Sequence, residues 1–405
     1  MTARATPVQG KLLTPGVKLL LVLWALGTAA GLYRFTQGLG AATAMNDGYP
    51  WGIWIAVDVV IGTGLASGGY VLAFLVFILN RGRYHPLVRP ALLTSLLGYA
   101  VAGVGVAFDL GRYWTMWRIP VSPGLWNHTS VLLEVALCMM AYVLVLFLEL
   151  SPAWLEGLAA GRDPARARLA ARWLPRAQKA LPILVGAGLL LPTMHQSSLG
   201  ALMMMAGLKL HPLWHTGFLP LYFLLTAFIM GFGVIYFESI FSSLAFGRPL
   251  EHRLLARLGR WVGVVILVFL VARFAVLGLE GKLGLTVSAG RLGFFFWAEV
   301  LILLAAAARF LGLGQEGRPD RALQAALLAM LGGTLYRLDV FLVAYDPGNG
   351  WIYFPSLAEI LVTLGLIATE TVVYVLLVRR FPILAGISPA GQPTVPVGLR
   401  EGVTP

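Results

Sequence analysis

Three residues stand inside long apolar runs of this chain where chemistry is expensive to place: Asp58 in the run 51–79, Glu134 in 129–150 and His195 in 178–205. An ionisable side chain in hydrocarbon costs a few kcal/mol unless it is paired or used. Counting about 1.5 Å per residue from the run ends puts Asp58 and Glu134 each about 10 Å deep, with His195 in the same outer third. Asp109 and Arg112 close the run 89–110 at that end, and His211 and His215 flank the start of the next run. Acids and an imidazole at one depth are the residue types that exchange protons. Steps of four, eight and eleven from Asp58 reach Gly62, Ala66 and Gly69, and steps of four and seven from Glu134 reach Cys138 and Ala141. Small residues on one face mark close helix packing, so both carboxylates are expected to point into protein.

A second set shares that end of the chain's apolar layer: Arg273, Glu299, Arg337, Asp339 and Glu359. Acids and bases balance here, which favours internal ion pairs. Glu359, Thr363, Leu366, Glu370 and Tyr374 recur at helical spacing and form a stripe about 22 Å long. It suits either polar packing or a proton relay, for which Arg273, Glu299, Arg337, Glu359 and Glu370 are the candidates. Glu149 and Glu238 fall near the opposite ends of their runs and are expected to be interfacial.

The elements that must position these residues follow from composition. Of 405 residues, 59% are hydrophobic and 12% charged, and the mean hydropathy is +0.81, which excludes a soluble globular domain. Ten runs are long enough to span about 30 Å of hydrocarbon: 17–37, 51–79, 89–110, 129–150, 178–205, 213–243, 258–279, 292–311, 321–341 and 357–378. With no alternating strand pattern of the outer-membrane type, the fold is an all-α polytopic membrane protein. The net charge of +12 is a topology signal and implies no nucleic acid: 22 of the 30 basic residues lie at alternate run ends, which the positive-inside rule makes cytoplasmic, together with both termini. Residues 1–16 form a cytoplasmic N-terminal segment, 17–245 a first helical half, 246–380 a second, and 381–405 a Pro- and Gly-containing cytoplasmic tail expected to be disordered. A cleaved leader at residues 1–30 is the lesser alternative to an uncleaved first helix.

The single cysteine, Cys138, rules out an iron–sulfur cluster or covalent haem held by this chain alone. A b-type haem needs facing histidines, and of the six only His195 is secure within a helix, so no haem is expected. His211 and His215 lack further ligands for zinc.

The segments YPWGIWIAVDVVIGTGLASGGYVLAF (49–74), RYHPLVRPALLTSLLGYAVAGVGVAFDLGRYW (83–114), LWNHTSVLLEVALCMMAY (125–142) and MHQSSLGALMMMAGLKLHPLW (194–214) resemble the NrfD/polysulfide-reductase (PsrC-like) membrane-subunit superfamily. Within it the likeness is to the ten-helix HybB type, the b-type cytochrome subunit of nickel–iron hydrogenase 2. The resemblance covers about residues 15–380 and implies two four-helix bundles plus two flanking helices, without redox centres of their own. It also implies electron exchange between membrane quinone (menaquinone or ubiquinone) and a ferredoxin-like iron–sulfur subunit, which would join large and small nickel–iron hydrogenase subunits to the bacterial cytoplasmic membrane. The quinone site is then expected near the outer surface of the first bundle, lined by Trp54, Asp58, Asp109, Arg112, Trp126, His128, Glu134 and His195.

Quinone chemistry needs hydrogen-bond donors at both carbonyl oxygens. His128 or His195 is expected to serve one, and Asp58 or Glu134 to supply the other proton. Trp51, Trp54, Trp114 and Trp126 would form an interfacial rim, and Thr129 or Ser130 would cap the helix that carries Glu134. Turnover coupled to proton translocation is a further expectation. The alternatives are a membrane anchor for a molybdenum- or sulfur-metabolising oxidoreductase, an anchor with no quinone site and, more remotely, a secondary transporter.

Overall fold

The computed structural model describes residues 5–161, 163–247, 250, 252–313 and 318–384. Ten apolar helices form where hydrocarbon would leave any other backbone unsatisfied. They are α1 (Pro15–Gln37), α2 (Trp54–Ile78), α3 (Gly82–Asp109), α4 (Val131–Ala159), α5 (Pro164–Met204), α6 (Leu219–Phe246), α7 (Leu254–Leu279), α8 (Arg291–Leu311), α9 (Pro319–Val343) and α10 (Leu357–Arg380). No strand ladder occurs among the described residues; an isolated bridge, Leu210 to Tyr345, ties the loop before α6 to the loop after α9.

Helices α2–α5 pack as one ring and α6–α9 as a second, while α1 lies along α10, which also packs on α2 and α3. The α1–α10 seam is close because two glycines face each other: a Cβ on Gly27 would stand 2.6 Å from the Gly365 Cα. α2 is the central element, with 83% of its apolar window buried in protein against 22% for α1. It also touches α6 and α9 of the other ring.

α2 and α9 depart from α geometry. Trp54–Ile61 and Phe74–Ile78 in α2 are π-helical, as is Asp339–Val343 at the end of α9. Such wide turns shift the hydrogen-bond register locally and often occur at functional sites. Asp58 and Asp339 both lie in them.

α5 runs on for 41 residues, and its first turns carry Arg166, Arg168, Arg172, Arg176 and Lys179 beyond the apolar stretch. At the basic end Thr6 N–H donates to Leu384 O and Val8 N–H to Val378 O, at 3.1 and 3.0 Å. Residues 381–384 of the expected tail are packed here, with Phe381 against Trp154 and Ile383 and Leu384 buried. The remainder of that tail lies outside the described residues.

Candidate functional site

α2 presents polar groups on two faces. Toward α3 and α10 it offers Asp58, which is buried and accepts a hydrogen bond from Thr363 Oγ1 at 3.0 Å. Gly105 of α3 permits this approach, since a Cβ there would lie 3.0 Å from the Asp58 Cβ. Ala66 and Gly69 continue the same face against Gly98 and Ser95 of α3, so small residues do mark the packed side of α2. On α4 they do so only in part: Cys138 is buried, Glu134 half-buried and Ala141 exposed.

Toward α5, α2 offers Thr63. Its hydroxyl accepts from Gln196 Nε2 at 3.0 Å and lies 3.3 Å from His195 Nε2, while His195 Nδ1 lies 3.2 Å from the Val135 carbonyl of α4. Gln196 also donates to Tyr99 Oη at 3.1 Å and accepts from Arg337 Nη2 at 2.8 Å. Arg337 comes from α9 in the other ring and is fully buried. It donates to Val60 O at 2.5 Å and Phe223 O at 2.7 Å, with Phe223 also under its guanidinium at 5.0 Å. Carbonyl dipoles and an amide therefore solvate this cation where water cannot.

The expected ion pairing is thus corrected for Arg337, which meets no carboxylate among the described residues. Two positions along a helix turn a side chain about 200°, so Arg337 and Asp339 face different rings. Arg273 does pair with Glu299. Glu359 closes a capping box with Ser356 at the start of α10. It accepts from Ala44 N and Ser356 N, each at 2.9 Å, and from Tyr353 Oη at 2.7 Å, so its oxygens are committed to holding two loops together.

At the outer mouth, Ser130 rather than Thr129 caps α4, accepting from Leu133 N at 3.3 Å. Thr129 instead donates to Asn127 Oδ1 at 2.8 Å. His128 is exposed, edge-on to Trp126, and among the described residues the Glu134 carboxyl has no hydrogen bond or ion pair. Asp109 is half-buried, with Oδ1 unpartnered, and Arg112 is exposed.

The aromatic rim is also corrected. Trp54 is fully buried and donates to Glu359 O at 3.2 Å, because it faces α10 across the π turn. Of the other rim residues Trp114 is exposed, at 61%, beside Trp117 at 63% and Leu125 at 86%. Glu149 is not interfacial either: it is buried against Gly188 of α5. Glu238 is half-buried and accepts a short hydrogen bond from Tyr374 Oη. Arg34, in the last turn of α1, is buried and donates to Phe108 O and Leu110 O at 2.7 and 2.6 Å. A cation there meets the negative end of the α3 dipole. The ring nitrogens of His211 and His215 serve their own loops, at Leu213 N and Met204 O.

Residues 41–345 match the family described as polysulphide reductase, NrfD. The chain belongs to the NrfD polysulphide-reductase family. It is 41% identical over 384 residues to the probable Ni/Fe-hydrogenase 2 b-type cytochrome subunit of Escherichia coli (strain K12), covering 93% of this chain and 94% of that one. It is 26% identical over 265 residues to the menaquinone reductase integral membrane subunit of Nitratidesulfovibrio vulgaris, covering 63% and 60%. A putative dimethyl sulfoxide reductase membrane subunit of Halobacterium salinarum matches over 155 residues at 29%, covering 36% and 35%. This NrfD-family protein is a multi-pass membrane subunit of a redox complex.

Proposed function

We propose that this NrfD-family chain carries electrons between an iron–sulfur subunit at its outer face and quinone in the bacterial cytoplasmic membrane, as the membrane arm of a nickel–iron hydrogenase. The observation that carries this reading is the 41% identity to the hydrogenase 2 subunit over nearly the full length of both chains. The match to the menaquinone reductase subunit supports quinone as the substrate. The shorter likeness to the dimethyl sulfoxide reductase subunit favours the molybdenum-enzyme anchor much less, because it leaves most of both chains unmatched.

In this reading the loop between α3 and α4, with exposed Trp114, Trp117 and Leu125, docks the iron–sulfur subunit at the membrane surface. Quinone then lies in the outer part of the first ring. His128 and Glu134 are the uncommitted groups at its mouth, suited to donate to the substrate oxygens. His195 and Asp58 are held by Thr63 and Thr363, positioned to relay protons behind them. The α10 stripe extends this line: Asp58 to Thr363, Glu370 beside Gly98, then Tyr374 to Glu238. It supports proton movement coupled to turnover.

The test is purification from native membranes in mild detergent, with the co-purifying subunits, the extractable quinone and the optical spectrum determined. Nickel–iron and iron–sulfur subunits with quinone and no haem bands are expected; a chain that purifies alone and without quinone overturns the reading. In closed vesicles, coupled turnover moves protons across the membrane, and scalar uptake alone removes the relay.

A further inference from the structure

The second ring encloses a cluster that the quinone reading does not use. Arg273 of α7, Glu299 of α8 and Asp339 of α9 are 2%, 0% and 0% exposed. Arg273 pairs with Glu299, and its guanidinium is caged by Phe296 at 4.5 Å, Tyr336 at 5.0 Å and Trp214 at 5.9 Å. The Asp339 carboxyl lies close enough to that of Glu299 for each to act on the other's charge, and neither Asp339 oxygen has a donor. Two ionised carboxylates only accept, so a bond between them exists only if one carries hydrogen. The charge count agrees, since one guanidinium balances one carboxylate and leaves the second uncompensated in a dry interior.

Two more buried groups point to solvent access. Tyr336 Oη and Trp214 Nε1 are unpartnered. Both residues line, with Arg273, a narrow cavity of about 10 Å³, room for about one water. It emerges at the outer face between Pro212–Thr216 with Tyr222 on one side and Val276, Leu277 and Glu280 on the other. At the mouth Glu280 accepts from Lys282 Nζ at 2.6 Å and Thr216 Oγ1 at 2.9 Å, and Lys282 also donates to His215 O at 2.8 Å. Polar groups so spaced are the partners a water entering this mouth needs. A metal ion fits poorly: among the described residues no three His, Cys, Asp or Glu side chains converge, and the guanidinium repels a cation.

We propose that Glu299 and Asp339 share one exchangeable proton beside Arg273, supplied by hydronium from the outer aqueous phase through the cavity between α6 and α7. Hydronium gives its proton to the pair and leaves water; release runs the same step backwards. The charged group facing the pair is Arg273 of α7, with Tyr222 of α6 and Tyr336 of α9 beside that guanidinium; Arg337 of α9 faces the other ring. The Nη groups of Arg337 donate to Val60, Gln196 and Phe223, leaving Arg273 as the balancing charge.

The test is infrared difference spectroscopy of the purified full-length protein on transfer from H₂O to D₂O, read in the carboxylic-acid C=O stretching region. The wild type is expected to show an exchanging acid band that is lost in both Glu299→Gln and Asp339→Asn, because either change leaves one carboxylate to balance Arg273. A band kept in both variants, or lost in only one, overturns the shared proton. Thr216→Trp, which narrows the mouth, should slow exchange of the band without removing it, and unchanged exchange overturns the route. Should a variant fail to assemble, dicyclohexylcarbodiimide, which adds to protonated carboxyls, is expected to label Glu299 or Asp339 in the wild type; no label at either overturns the proposal. Neither assay reads quinone turnover, so failure of the quinone reading leaves their outcome intact.

Discussion

The guanidinium of Arg337 and the amide of Gln196 meet at 2.8 Å across the seam between the two helix rings. Through Gln196 and Thr63 that contact continues to His195. A charge rooted in the second ring is thereby fixed beside the polar core of the first, and the rings are joined by a bond that cannot slide.

Removing this charge should therefore affect both rings. Hydrogen bonds to a charged group are worth about 1.5–3 kcal/mol each, and Arg337 makes three. Arg337→Gln is expected to lower the detergent melting temperature sharply and abolish quinone-linked turnover. Arg337→Lys, which keeps the charge but loses the planar fork, should recover only part of either. Gly64→Ala should resemble it, since a Cβ there would stand 2.9 Å from the guanidinium. Equal melting of Gly64→Ala and wild type would contradict this packing.

Glu134→Gln separates chemistry from assembly. The carboxyl holds no partner, so the variant should assemble normally while quinone-linked turnover falls by about 100-fold, the scale of a lost general acid. Turnover within twofold of wild type would remove Glu134 from proton delivery. Asp58→Asn should also disturb the link to Thr363 and change the pH profile of turnover; an unchanged profile would sink its relay role.

Glu359 should show the opposite pattern. With three donors on its carboxyl, Glu359→Gln is expected to cost about 2 kcal/mol of stability and to leave the turnover of assembled protein close to wild type. Thermal unfolding beside turnover per assembled complex checks this, and a stable but inactive variant would return Glu359 to the proton path.

The loop at the second-ring cavity should respond to acid. Burial alone pushes Glu280 up, but hydrogen bonds from Lys282 and Thr216 outweigh it and hold the carboxyl below its ordinary range. A depressed acid stabilises its tie above the ordinary carboxylate range, and this contribution is lost as pH falls through the lowered value. Amide exchange in residues 213–217, taken relative to the intrinsic rate at each pH, is expected to rise over that acid window in wild type and to stay level in Glu280→Gln.

The ten spans were legible because hydrocarbon thickness and the backbone's need for partners leave few options, and helical spacing turned Asp58 into protein without saying which helix it meets. The seam was not, since no charge marks most of it. Thr63, Tyr99 and Gln196 are uncharged, yet they carry the network around His195. The opposite orientations of Arg337 and Asp339 could have been read from their two-residue spacing; the pairing expected from charge balance concealed it. Trp54 was placed at the rim by its distance from the run's end, which says nothing about the direction in which a π turn aims a side chain.

Those π turns bear on how relatives should be compared. A turn closed over five residues instead of four holds one residue more than the α turn it replaces. A family member that keeps α2 regular, or α9, must lack that residue. Its sequence will then align with a single-position gap beside Asp58 or Asp339, and matching without the gap will put the wrong residue opposite the acid.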